Sequence, residues 1–202
     1  MHINQYPIRK LEEQFEPNQV KRIRTLQGDI SKITLIGGAG ENYRIEVLYA
    51  LEAGLLLASL NLVCSLLELF VRDLLIYSEC QRNKGRLNSE KDFILRETDI
   101  ENSKKPRWDF KPMIDKLSKE NLIQDNDACE IKDFYDQVRI PIQHGLSQRF
   151  INIHDPSIIE IGQFLQTRSL RFHDFERLIE DKSLHLIELA VAFMLIYGHH
   201  FR

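Results

Sequence analysis

The chain has 202 residues, 43% hydrophobic and 28% charged, with 9 Gly and 6 Pro; this excludes a fibrous or disordered protein and predicts a buried core. At roughly 150 residues per domain it holds one main domain. The formal net charge of −3, from 27 Lys and Arg against 30 Asp and Glu, excludes a global basic field of the kind that coats duplex DNA.

Residues 1–40 read as an irregular N-terminal arm. Arg9 to Glu16 suits a short helix that Pro17 interrupts, and Ile33 to Ile36 is a β-like run ending in Gly37, Gly38 and Gly40. That glycine run is not a phosphate loop, because no Gly-Lys-Ser/Thr follows and Tyr43 stands where a third dinucleotide-fold glycine belongs. The first residues, among them His2, Asn4, Gln5, Arg9 and Lys10, lack the apolar run of a signal peptide, so a cytoplasmic location is expected.

Residues 41–202 are predicted to form a mainly all-α domain. From Tyr43 to Tyr77 apolar residues recur at helical spacing (Leu48, Leu51, Leu55, Ala58, Leu62, Leu66), as one long helix or as two broken near Ser59 to Asn61. The most membrane-like stretch, Ala53 to Val71, contains Ser59, Asn61, Ser65 and Glu68; a span needs about 20 consecutive apolar residues, so a buried helix is expected and no membrane partner.

Gln81 to Lys119 carries 11 basic residues against 7 acids, a local +4 that leaves −7 for the rest of the chain. It reads first as a solvated connection. The functional alternative is a phosphate-facing rim with Trp108 and Phe110 available for base stacking. Phe110 to Glu120 suits a modest helix, and Asp127 to Arg139 a clear one with Ala128, Ile131, Tyr135 and Val138 on one stripe. Ile158 to Phe172 suggests a small β-hairpin around Gly162, and Asp174 a cap for a helix from Phe175 to Tyr197.

His154-Asp155 and His173-Asp174 invite a metal phosphohydrolase reading, with imidazoles and a carboxylate on a divalent ion, but the expectation is no metal and no cofactor. Cys64, Cys80 and Cys129 form no Cys-x-x-Cys pair, and a turn and a helix cap account for His154-Asp155 and His173-Asp174. The informative stretch is Phe134 to Gly145. Pro141 has no amide hydrogen and disfavours helix at Ile140, and Gly145 suits a left-handed helix stop, so Arg139 and His144 flank a distorted turn. Five positions apart on an ideal helix they differ by about 140° in direction, so a kink or a second subunit is needed to bring them together. Read without chemistry, Arg139 pairs with Asp136 one turn earlier and His144 caps the helix end.

Val138 to Gly145 resembles the Arg-x4-6-His motif of HEPN domains, with Arg139, Pro141, His144 and Gly145 where that pattern has them. Leu66 to Leu75, with Glu68 followed by Arg72 and Asp73, resembles the second core helix of such domains, and the resemblance extends over residues 43–198. One departure is Ile140, where many active members carry a polar residue, usually Asn. The resemblance implies a helical bundle that dimerises with two motifs facing one cleft, and a metal-independent endoribonuclease in a toxin-antitoxin or antiviral system. RNA, a second copy of the chain and an antitoxin protein are the implied partners, with no cofactor. It also implies that His144 moves protons and that Arg139 stabilises the phosphorane, with Gln143, Asp136, Glu68 and Arg72 in support. Ile140 favours a second expectation, a non-catalytic HEPN-like module binding RNA, nucleotide or protein. A third is an interaction scaffold whose Leu-rich helices dimerise.

Overall fold

A computed structural model describes residues 10–36, 38–82, 90–102, 109–143 and 172–201, and among these no strand occurs. The described part is 86% helical, an all-α fold.

The first 36 residues are not irregular where they are described. Leu11–Gln14 forms α1 and Pro17–Ile30 forms α2. Pro17 does not merely interrupt a helix; it begins one, because a missing N–H costs nothing at the first helical position. Glu16 and Gln19 complete a capping box, with the Glu16 N–H donating to Gln19 Oε1 at 3.3 Å. Leu11, Ile23, Leu26, Ile30 and Ile33 then join the same buried cluster as the rest of the protein. Ile33 to Ile36 is a connector without strand geometry, and Gly38 starts the next helix.

α3 (Gly38–Glu52) and α4 (Leu56–Arg82) are separate helices, broken a turn earlier than the apolar pattern suggests. Gly54 sets the break. It adopts φ +73°, its N–H bonds the Leu51 carbonyl at 3.0 Å, and the Leu55 N–H bonds that of Ala50 at 2.9 Å. This is the Schellman termination that glycine favours. Asn121, at φ 57°, follows the end of the Phe110–Lys119 helix with the same pair of bonds, to Ser118 and Leu117.

α4 is the axis of the fold, buried from Leu56 to Ser78 along one broad face, with α3, two of the following helices and the last long helix packed on it. α5 is Glu90–Asn102, α6 Phe110–Lys119 and α7 Asp125–Phe134. A single π-helical turn, Tyr135–Arg139, joins α7 to the short α8 (Ile140–Gln143). The last helix, α9 (Phe172–Tyr197), starts before Asp174, which therefore lies within it; a 3₁₀ turn, Gly198–Phe201, follows. Residues 158–171 of the expected hairpin lie outside the described residues, and Phe172 is helical.

Lys182–Phe201 is long and apolar enough by composition to cross a membrane. Here Leu184, Leu186, Ile187, Ala190, Val191 and Met194 are buried against the other helices, the use a core helix makes of such a sequence.

Candidate functional site

Pro141 shapes the candidate site. It cannot bond the carbonyl four residues back, and its ring crowds that carbonyl. The chain answers by widening the preceding turn: the Ile140 N–H bonds Tyr135 O, five residues away, and the helix runs on past the proline to Gln143. The sequence thus points correctly to a distortion, but it is a π turn within a continuing helix. Such turns concentrate at functional sites.

The π turn turns Arg139 inward. Its residue is 5% exposed, and its guanidinium makes a bidentate pair with Glu68 of α4: Nε to Oε1 at 2.9 Å and Nη2 to Oε2 at 3.0 Å. Glu68 therefore orients Arg139. Asp136 does not; it accepts from Lys111 at 2.5 Å instead. Arg139 Nη1 is buried with no hydrogen-bond partner among the described residues. A buried donor left unmade costs about 1–3 kcal/mol, so this atom is a standing demand for an acceptor.

A cavity of about 440 Å³ opens beside the pair, lined by Glu68 and Arg72 of α4, Asp109 and Phe110 at the start of α6, and Tyr135 and Arg139. Phe110 is 4% exposed and stacks on Tyr135, with ring centroids 4.4 Å apart and planes 7° from parallel. It is a wall of the cavity, not a free stacking platform. The Tyr135 hydroxyl bonds Glu68; burial, then the charge of Glu68, pushes its pKa up, so it remains a donor. Arg72 donates to Glu97 of α5 at 2.6 Å. Beneath the pair, burial pushes the Cys64 thiol up to about 12, which removes it as a nucleophile.

His144 lies outside the described residues, as do Gly145, Trp108 and His154-Asp155; the side chains of His173 and Asp174 do too. Gln143 ends α8. Glu68, Arg72 and Arg139 come together at one cavity, while Asp136 faces α6. The sequence does not single out Tyr135 and Asp109 as site residues. Tyr135 looks like core because in the sequence it continues the apolar stripe of Ala128 and Ile131, and its polar end is the only sign of a second use.

The basic segment is largely neutralised where it is described. Arg96 and Lys116 both donate to Glu79, Arg82 to Glu120 and Lys111 to Asp136. Burial works to raise the Glu79 carboxyl, but the hydrogen bonds from Lys116 and Arg96 outweigh it and hold it below its ordinary range. No group of three or more His, Cys, Asp or Glu residues able to hold a metal occurs among the described residues. Compared with protein-family models, curated proteins and solved structures, the chain matches none.

Proposed function

We propose that this chain is a HEPN-like, RNA-directed protein acting as a metal-independent endoribonuclease, with Arg139 and His144 as its catalytic pair. The observation that supports this most is Arg139 itself. A π turn and Glu68 hold its guanidinium in one orientation at the wall of a cavity, with one nitrogen still in need of an acceptor. Four residues later the sequence supplies Gln143 and then His144.

The chemistry is transesterification. His144, with an ordinary pKa near 6.5, takes the proton of a ribose 2′-hydroxyl. The 2′-oxygen bonds to phosphorus, the bond from phosphorus to the 5′-oxygen breaks, and that oxygen takes a proton from water, to which His144 returns the one it holds. The Arg139 guanidinium donates to a non-bridging oxygen as charge builds on the phosphorane. Products carry 2′,3′-cyclic phosphate and 5′-hydroxyl ends. A cytoplasmic toxin or defence effector that acts as a homodimer and is restrained by an antitoxin protein is the setting this reading implies.

The test is cleavage of a labelled RNA pool in EDTA by wild-type, Arg139→Ala and His144→Ala protein. The expected result is cyclic-phosphate products from wild type, reduced about 100-fold or more in His144→Ala. Intact RNA with wild type, or equal cleavage by the His144→Ala variant, rejects it. A second reading, a binding module without catalysis, is favoured by one observation: Arg139 is 5% exposed with two of its nitrogens committed to Glu68. Retained RNA affinity without cleavage decides for it.

A further inference from the structure

We infer that Tyr135 is a positioning residue for Arg139: its hydroxyl holds the Glu68 carboxylate in the orientation with which the guanidinium pairs. The inference rests on the proposed function and deepens it by naming what keeps the phosphate-binding group in place.

Glu68 orients Arg139 only if its own carboxylate is held. Its side chain is 30% exposed, and a carboxylate that is partly open to water, on a broad terminal torsion, has several orientations available. Arg139 takes one bond on each oxygen, Nε to Oε1 at 2.9 Å and Nη2 to Oε2 at 3.0 Å, which leaves each oxygen a further lone pair. The Tyr135 hydroxyl fills one of these as the third donor. Burial, and then the charge of Glu68, pushes its pKa up, so it keeps the proton that it donates.

The ring that carries this hydroxyl is held in turn. It lies flat on Phe110, with centroids 4.4 Å apart and planes 7° from parallel, and Phe110 is itself 4% exposed at the start of α6. Tyr135 also accepts, through its carbonyl, the Ile140 N–H that closes the π turn. One residue therefore sets both parts of the geometry: its backbone the turn that points Arg139 inward, its hydroxyl the carboxylate that receives it. Phenylalanine at this position keeps the backbone and the ring and loses the bond to Glu68, so the two roles separate. Alignment matters to the proposed reaction, because a hydrogen bond weakens steeply off axis and the guanidinium must already point to where charge develops.

The experiment compares the full-length wild-type chain with Tyr135→Phe in two readouts, with circular dichroism and a thermal melt of each protein. The first is RNA cleavage in EDTA: kcat is expected to fall about tenfold with KM moved by less than about twofold, because the guanidinium keeps its charge and loses its alignment. The second is the exchange with water of the Arg139 Nε–H, followed by ¹⁵N NMR and identified as the signal missing from Arg139→Lys protein. Exchange is expected to quicken about tenfold in Tyr135→Phe as the Glu68 carboxylate is released. Either readout unchanged in the folded variant overturns the proposal, and so does loss of the fold, which would make the hydroxyl a requirement of packing. If the wild-type chain leaves RNA intact, the ribonuclease reading falls and the exchange rate decides for or against Tyr135. Motif-dependent cleavage at an unaltered rate in Tyr135→Phe rejects Tyr135 and leaves the ribonuclease reading standing.

Discussion

Two acids on α4, five positions apart, meet opposite fates. Glu68 finds a guanidinium in register with its carboxylate and makes two bonds of 2.9 and 3.0 Å to Arg139. Asp73 is 3% exposed and accepts the backbone N–H of Ile36, but its neighbour Arg72 turns to Glu97. Burial pushes Asp73 up to about 7; Arg72 pulls it down, Glu97 pushes it up, and the Ile36 amide lowers it. An acid survives burial through the geometry of its partner, and a cation that is merely adjacent in sequence is not a partner. The same helix therefore carries a fixed ion pair at the candidate site and a carboxyl poised to change charge near neutrality.

The largest expected effect comes from breaking the fixed pair. Glu68→Ala leaves Arg139 buried and uncompensated, and the expected loss is about 3–5 kcal/mol in urea-unfolding stability. A loss under about 1 kcal/mol would mean that Arg139 swings out to water and that the orientation argument fails.

Asp73 makes the opposite prediction, and its sign follows from linkage. Its pKa is raised on folding, from an ordinary 3.8 to about 7, so the folded state holds the proton more tightly than the unfolded one. That contribution is fully present below about pH 4 and is lost as pH climbs through about 7, with an upper bound of about 4 kcal/mol for three units. Asp73→Asn keeps a carbonyl for the Ile36 amide and cannot ionise. Its stability relative to wild type is expected to rise by roughly 2–4 kcal/mol between pH 4 and pH 8 in thermal melts. Parallel curves for the two proteins would reject the assignment.

These two acids also mark what the sequence can and cannot say. The apolar spacing of α4 and of α9 makes the all-α class and the central helix legible, because burial on a helix repeats every three or four residues. Pro141 makes the distortion at Arg139 legible, and Glu68 is among the residues expected to support it. Partner choice and helix starts are not legible in the same way. Asp136 lies one turn from Arg139 and is equally suitable by spacing, but Lys111 of α6 reaches it first, a contact set by tertiary packing. Pro17 reads as a breaker when it is a first-turn residue, which hides α2. Phe110 reads as a stacking aromatic, but the approach of α6 to the π turn buries it on Tyr135.

The comparison sharpens if the fixed pair is replaced instead of broken. Glu68→Leu with Arg139→Met removes both charges and fills similar volume, so stability is expected to fall within about 1–2 kcal/mol of wild type, well above the single Glu68→Ala variant. Cleavage should be lost, since the cavity loses the Arg139 guanidinium. Retained cleavage in the double variant would remove Arg139 from the mechanism.

The smallest expected effect tests whether Asp73 is poised by burial alone or also by the misdirected Arg72. Glu97→Gln takes away the anion that holds Arg72 and that pushes Asp73 up. Arg72 and Glu97 are both largely covered, with side chains 17% and 22% exposed, so water screens the Glu97 charge weakly. Its removal favours the ionised carboxyl. The pH at which the Asp73 contribution is lost is therefore expected to move down by roughly one unit in Glu97→Gln. It is read as the midpoint of the stability difference between the Glu97→Gln protein and the same protein also carrying Asp73→Asn. An unmoved midpoint would mean that burial alone holds Asp73, and that Arg72 is no closer to being its partner than sequence adjacency made it.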